Sequence, residues 1–142
     1  MIKTFTFNFI GLKPISVNKC FATNFKTRQR HKSKEYAVFS NSVYTHFLDQ
    51  ANNRTAKDFA SVLGLINSLK IGIVVITPRN KVFKADGTRS LTVGDLNNFE
   101  KALTDVVFDI LGVNDCLIDE LNIRRDITEK VDYSIIYKIE VF

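Results

Sequence analysis

Acidic and amide side chains recur at helical spacing in one stretch of the chain, together with a single lysine. Five polar residues follow one another at intervals of three and four positions: Asp95, Asn98, Lys101, Asp105 and Asp109. At about 100° per residue, these side chains share one side of a helix. A further acid, Asp115, follows shortly after them. Because carboxylate and amide oxygens are hard ligands, the pattern is typical of a site for metal-assisted phosphoryl transfer.

The same stretch has the apolar spacing of a helix that packs against a core. Its apolar residues also recur every three or four positions: Leu96, Phe99, Leu103, Val106, Val107 and Ile110. We predict a helix over residues 95–111, with Asp95 suited to the N-cap and Gly112 to the end of the helix. The alternative is that its polar side is an ordinary solvated helix surface. Asp105 and Asp109 argue against that alternative, since aspartate is an unfavourable residue inside a helix.

The order of these residues also follows a known pattern: Asp-x-Asp-Asn, then Lys, then Asp, then a paired Asp-Asp before an aliphatic strand. Five residues match it: Asp95, Asn98, Lys101, Asp105 and Asp115. Asn97 and Asn114 stand where the pattern has aspartates. In this respect the chain resembles the RusA family of Holliday-junction resolvases. Residues 14–18, Pro-Ile-Ser-Val-Asn, are similar to the family's Pro-x-Ser-x-Asn turn, and Arg125 occupies a position where a basic residue is usual.

The resemblance implies a homodimeric, Mg²⁺-dependent endonuclease that makes paired nicks in four-way DNA junctions, with Mn²⁺ able to substitute. It also implies an α/β architecture of the α+β type, in which one mixed β-sheet packs against two or three helices within a single domain of residues 1–142. Asp95, Asn97 and Asp115 are the implied metal ligands, and Lys101 is their charge partner. These four residues form the implied catalytic set.

Asn97 is the departure with the largest chemical consequence. A neutral amide offers one carbonyl oxygen in place of a charged carboxylate, so metal affinity is expected to fall. We expect a weaker or more Mn²⁺-dependent enzyme. The alternative function is a branched-DNA-binding protein that keeps the scaffold and has lost turnover. A dimeric protein-interaction domain is a third possibility, which the charge distribution disfavours.

Charge is strongly polarised along the chain. Residues 1–94 carry 15 Lys and Arg against 4 Asp and Glu, a net charge of +11, whereas residues 95–142 carry 5 against 11, a net charge of −6. The densest basic run spans residues 19–34 and contains no acid. Such a run predicts salt-sensitive contacts to DNA phosphates. The predicted DNA-binding residues are Asn18, Lys19, Lys26, Arg28, Arg30, Lys32 and Arg89.

Two aromatic residues, Phe21 and Phe25, lie within the basic run and could stack on unpaired bases at a branch point. The alternative is that they anchor a solvated loop. Residues 78–94 form a second long polar connection, which we expect to be a mobile DNA-contacting loop or a disordered segment. It leads directly into Asp95.

Composition limits the remaining classes. With 142 residues, of which 45% are hydrophobic, the chain can bury a core of its own. The longest apolar run spans residues 71–76, far too short to cross a membrane, and the first residues lack a secretory signal. We therefore expect no membrane partner and a cytoplasmic protein, and the family resemblance implies a bacterial or phage-infected cell. Cys20 and Cys116 read as ordinary thiols rather than a zinc site or a disulfide.

The other predicted elements are read from local periodicity. Alternation of Phe5, Phe7 and Phe9 predicts an opening strand, followed by a loop. Ser33 is expected to cap a helix that ends near residues 52–53 and has an apolar face formed by Tyr36, Phe39, Val43 and Phe47. Residues 59–66 fit either a helix or a short strand. The remaining predicted strands are residues 70–77, 117–125 and 133–142.

Overall fold

A computed structural model describes residues 3–142 of the chain as one α+β domain. The strands are β1 (Lys3–Ile10), β2 (Phe21–Asn24), β3 (Gln29–Lys32), β4 (Leu69–Pro78), β5 (Ile118–Thr128) and β6 (Ser134–Val141). The helices are α1 (Lys34–His46), α2 (Gln50–Val62), the single-turn α3 (Arg79–Val82) and α4 (Leu96–Leu111). Short 3₁₀ turns cover Val17–Lys19, Leu63–Leu65 and Asp115–Leu117. The expected α+β class is confirmed.

Four strands form a mixed sheet in the order β1-β6-β4-β5. β6 pairs antiparallel with both β1 and β4, whereas β4 and β5 are parallel. Since parallel neighbours need a crossover connection, α4 lies in the segment that joins β4 to β5. The strands β2 and β3 form a separate antiparallel hairpin.

One face of the sheet is covered by helices. Along β4, residues alternate between buried and half-buried positions, so every second side chain enters the core. α4 contributes a nearly continuous buried stripe to the same core: Ala102, Leu103, Val106, Val107 and Phe108. Within this core, the hydroxyls of Thr104 and Tyr137 lie 2.9 Å apart and satisfy each other. The apolar side of α4 is therefore fixed against the sheet, and its polar side faces outward.

Several predicted elements are confirmed with small shifts of their bounds. These are the opening strand, the strands at residues 70–77, 117–125 and 133–142, and the helix at residues 95–111. The predicted face of α1 is also confirmed, because Phe39, Val43 and Phe47 are buried. None of the helices in residues 3–142 combines the length and apolar composition needed to cross a bilayer.

Two local predictions were wrong, and one that had been left open is decided. The helix that begins after Ser33 ends at His46 rather than near residues 52–53, because Asp49 caps a second helix by accepting a hydrogen bond from the Asn52 backbone N–H. Residues 59–66, which fitted either a helix or a short strand, are the end of that second helix followed by a 3₁₀ turn, so the helical alternative is confirmed. The basic run was read as part of a loop, but residues 21–32 pair as a β-hairpin, since its polar strands lack the apolar alternation that marks a half-buried strand.

Residues 78–94 also contain more regular structure than their polar composition indicated. They include α3 and an isolated antiparallel bridge between Phe83 and Arg89. Backbone hydrogen bonds from Lys84 to Thr88 and from Ser90 to Val82 close the intervening turn. Residues 82–90 therefore form a hydrogen-bonded turn that places Arg89 opposite Phe83.

Asn52 joins the two-helix layer to the edge of the sheet. Its side chain is 2% exposed and accepts a hydrogen bond from the backbone N–H of Asn8 while donating to the carbonyl oxygens of Asn8 and His46. Since β1 is an edge strand, Asn8 has no strand partner on that side. Asn52 replaces that partner and also holds the end of α1.

We expect Asn52→Ala to lower the free energy of unfolding by about 3 kcal/mol, because three hydrogen bonds worth about 1 kcal/mol each are lost. Urea denaturation followed by circular dichroism measures this. Asn41→Ala, at an exposed position of α1, is the matched control and should change stability by less than about 0.5 kcal/mol. Equal stabilities for the two variants would contradict the assigned role of Asn52.

Candidate functional site

The start of α4 is fixed by two neighbouring residues. Asp95 is the N-cap, and its Oδ1 accepts a hydrogen bond of 2.9 Å from the Asn97 backbone N–H. Gly94 precedes it with φ +93°, and a Cβ there would overlap the ring of Phe99. Only glycine fits this position, because a side chain would be strained and would overlap the ring. The chain therefore delivers the Asp95 carboxylate to the first turn of the helix.

A lysine and two acids meet at the middle of α4. Lys101 Nζ lies 2.8 Å from Asp105 Oδ1 and 3.5 Å from Asp115 Oδ2. Asp105 is one helical turn away, whereas Asp115 belongs to the 3₁₀ turn that precedes β5. Asn114 caps that turn by accepting a hydrogen bond from the Cys116 backbone N–H. All three charged side chains are about half exposed, so the cluster is open to a ligand.

The cluster favours the charged form of its lysine. The hydrogen bond to Asp105 raises the pKa of Lys101; partial burial, the next largest effect, opposes this rise, and the contact with Asp115 adds to it. An ammonium is therefore present at this point of the surface at neutral pH. It balances part of the negative charge that two neighbouring carboxylates create.

The structure separates the other predicted site residues from this cluster along the helix. Asp95 and Asn97 are exposed at the first turn, and the Cα of Lys101 lies about 9 Å further along the axis from that of Asp95. Among residues 3–142, no three His, Cys, Asp or Glu side chains are grouped so as to hold one metal ion. The oxygens of Asp95, Asn97 and Asp115 have the hard-donor chemistry that Mg²⁺ prefers, and Mg²⁺ retains several waters of its own.

Arg125 lies beside the first turn of α4. It occupies the helix-covered face of β5, and its guanidinium donates a 3.1 Å hydrogen bond to the carbonyl oxygen of Gly94. Partial burial, with nearby Arg89 as the next cause, lowers the pKa of Arg125. Its Nε is the one buried side-chain nitrogen or oxygen without a hydrogen-bond partner in residues 3–142. The side chain thus ties β5 to the residue before Asp95 and adds positive charge there.

The basic hairpin borders the acidic side of α4. A cavity of about 320 Å³ separates the two, lined by Val17, Cys20, Phe21, Lys32, Tyr36, Ala102, Asp105 and Asp109. Burial, followed by the negative charge of Asp105, raises the pKa of both Cys20 and Tyr36. The acidic side chains of α4 and the end of the hairpin nearest to them therefore belong to one continuous surface.

The predicted DNA-binding residues are spread over that surface. Asn18 lies in the 3₁₀ turn of residues 17–19, where Ser16 accepts a hydrogen bond from its backbone N–H. Lys19, Lys26, Arg28, Arg30, Lys32 and Arg89 are all exposed. Within the hairpin, the Arg30 guanidinium lies 4.2 Å from the centre of the Phe21 ring. Arg89 lies apart from the hairpin, because it packs over the ring of Phe83 near α3.

Glu100 is a candidate residue that the sequence pattern did not single out. Burial is the main cause that raises its pKa, and the charges of Asp105 and Asp115 act in the same direction. A half-buried carboxyl with a raised pKa beside an acid cluster is a recognised feature of functional sites. Its signal in the sequence was weak, because glutamate is common on solvated helix faces.

Comparison with known protein families adds one finding. The family model described as endodeoxyribonuclease RusA matches residues 13–139, nearly the whole chain. No curated protein matches the chain.

The cluster at the middle of α4 predicts a change in the titration of Lys101. In Asp105→Asn the carboxylate that contributes most to the raised pKa is lost, so the pKa of Lys101 should fall. NMR titration of the lysine side-chain resonances measures this. Asp109→Asn, one turn further along the same face, is the control and should leave that pKa where it is. A pKa that responds equally to both changes would contradict the specific pairing with Asp105.

Proposed function

Since the chain belongs to the RusA family of endodeoxyribonucleases, we propose that it resolves four-way DNA junctions by metal-dependent hydrolysis of the phosphodiester backbone. The observation that carries the proposal is the contact of Lys101 with Asp115. It joins two positions that match the family pattern, from separate segments of the chain, at an exposed site beside the basic hairpin.

In this proposal, Asp95, Asn97 and Asp115 would hold the metal ion, in part through the waters that Mg²⁺ retains, because the first turn of α4 is separated from Asp115 along the helix. When bound, Mg²⁺ would supply electrostatic stabilisation of the phosphate and a more acidic water. Asp95 is pre-positioned as the helix cap, and Asp115 is oriented by its contact with Lys101. The exposed amide of Asn97 contributes an oxygen from the first turn of the helix.

Lys101 supplies a positive charge that stabilises the negative charge building up at the scissile phosphate. It is held in its charged form by Asp105. In the free protein its charge is balanced by Asp115, and a phosphate at the site would compete for the same ammonium. Lys101 thereby links substrate binding to the position of a metal-binding carboxylate.

The basic hairpin supplies most of the contacts to the DNA backbone. Arg28, Arg30 and Lys32 carry positive charges without an acidic ion-pair partner in residues 3–142, as expected for side chains that await phosphates. A homodimer follows from the reaction, because paired nicks at a two-fold symmetric junction require two sites related by the same symmetry.

A second candidate function is branched-DNA binding without turnover. The observation that favours it is Asn97, which removes one negative charge from the metal-binding residues. The two candidates share the DNA-binding surface and differ in metal chemistry, so the metal dependence of nicking separates them.

Replacing the neutral amide of Asn97 with a carboxylate should raise the affinity of the site for Mg²⁺. We expect Asn97→Asp to reach half-maximal nicking of a labelled immobile four-way junction at a Mg²⁺ concentration lower by about an order of magnitude, because affinity for hard cations rises with ligand charge. Mn²⁺ should support the natural chain better than Mg²⁺ does, and a chelator should abolish nicking. Denaturing electrophoresis of the products measures all three.

Two further variants serve as controls for this experiment. Asp115→Asn should bind the junction without nicking it, while Asp58→Asn, a solvent-exposed acid of α2, should behave as the natural chain does. Junction binding with no nicking by either the natural chain or Asn97→Asp, in both metals, would reject the nuclease and support the second candidate.

Removal of positive charge from the hairpin should change the salt dependence of DNA binding. We expect the triple variant Arg28→Ala, Arg30→Ala, Lys32→Ala to bind junctions more weakly and to lower the slope of log affinity against log salt by about 3, one for each lost phosphate contact. Fluorescence anisotropy at several salt concentrations measures it. The charge-matched triple variant Arg54→Ala, Lys57→Ala, Lys130→Ala should retain the natural slope. A slope unchanged by the first variant would place the DNA elsewhere.

A further inference from the structure

The tip of the β2–β3 hairpin carries an aromatic side chain on a well-defined turn. Pairing of Asn24 with Gln29 leaves residues 25–28 as the connection. Asn24 Oδ1 accepts hydrogen bonds from the backbone N–H groups of Lys26 and Thr27, and the Thr27 hydroxyl accepts one from Gln29. Arg28 adopts φ +55°, the conformation that reverses the chain. Hydrogen bonds therefore hold the backbone of the turn, and Phe25 lies at its tip.

Phe25 is the outermost apolar group of this turn. Its side chain is 92% exposed, whereas the phenylalanines of β1 are at most 2% exposed. Exposure of a whole phenyl ring to water is unfavourable, and stacking on another flat apolar surface would relieve it. The ring makes little contribution to the fold, so its position at the tip points to a ligand.

Phe21, the other aromatic residue of the hairpin, is placed differently. Its side chain is only 38% exposed, one face is covered by Arg30, and it lines the cavity beside Asp105. With one face already covered, Phe21 offers a base less open ring surface than Phe25 does. The sequence pattern did not distinguish the two phenylalanines. In the structure, Phe21 packs at the end of the hairpin nearest α4, whereas the Phe25 ring is exposed at the tip.

The surroundings of Phe25 match the charge of nucleic acid. Residues 19–34 contain six Lys and Arg and no acid, and Lys26 and Arg28 flank the ring on the turn itself. From Phe21 the hairpin extends up to about 13 Å, at roughly 3.3 Å per residue. That reach is close to four nucleotide steps of 3.4 Å along a DNA strand. The tip can therefore contact DNA a few nucleotides from phosphates held near α4.

We infer that Phe25 is a wedge that enters the disrupted base stack at the branch point of a DNA junction and stacks on an exposed base. This inference rests on the proposed function and adds the element that would distinguish branched from linear DNA. Apolar side chains inserted between base steps unstack them, and a branch point lacks part of the stacking that opposes insertion. Linear duplex would gain only the phosphate contacts of the hairpin.

The test uses the full-length chain and an immobile four-way junction with 2-aminopurine at the branch point, whose fluorescence rises when the base is unstacked. Binding is measured in chelator, so that no nicking occurs. The natural chain should raise the fluorescence, Phe25→Ala should abolish the rise, and Phe25→Trp should retain it. Phe25→Ala should also weaken junction binding by about 10-fold, within the range of base–aromatic stacking, and duplex binding by less than about 2-fold.

Leu48→Ala is the matched control, because Leu48 is an exposed apolar residue, at 71% exposure, outside the hairpin and outside residues 78–94. It should leave both the fluorescence rise and the affinities unchanged. A rise that persists in Phe25→Ala, or no rise in a natural chain that binds the junction, overturns the wedge. Nicking assayed in parallel with Mn²⁺ reports on the proposed function separately: nicking without unstacking refutes the wedge alone. A natural chain that neither binds nor nicks the junction refutes both.

Discussion

The packing of α4 against the sheet is the constraint on which the site depends. Its buried stripe, and the hydrogen bond between Thr104 and Tyr137 beneath it, leave the helix only one rotation about its axis. That rotation turns Lys101 and Asp105 outward, to the place where Asp115 arrives before β5. A change in core packing would therefore alter the geometry of the acids without touching them, since side chains on a helix move together.

Charge that is separated along the sequence is brought together by the fold. The basic first part of the chain supplies the hairpin, and the acidic second part supplies α4, yet Lys32 and Asp105 line the same cavity. Neighbouring surfaces of opposite charge suit a phosphodiester substrate, because its backbone needs cations while hydrolysis needs carboxylates to hold a metal ion. The arrangement gives a physical basis for the membership of this chain in the RusA family.

At the first turn of α4, neutral and positive groups surround the acid that begins the helix. Asn97 replaces an expected carboxylate, and Arg125 reaches the carbonyl oxygen of Gly94 with a guanidinium that has no acidic partner in the described part of the chain. Both features reduce negative charge near Asp95. The lower negative charge favours the approach of a phosphate and disfavours tight binding of a cation. This is the physical reason for proposing that the natural chain needs more Mg²⁺ than Asn97→Asp does.

The sequence alone determined those features that depend on neighbours within a few residues. The period of Leu96, Leu103 and Val107 defined α4, Asp95 defined its cap, and alternation defined the strands, because helix and strand periods are local properties. The tertiary structure decided what local patterns leave open. It ended α1 at His46, paired the basic run as a hairpin, brought Asp115 to Lys101 and separated Phe25 from Phe21. The contact of Lys101 with Asp115 joins separate segments, which spacing does not encode. The end of α1 and the pairing of the polar hairpin depend on a cap and a turn, which hydrophobic periodicity does not reveal.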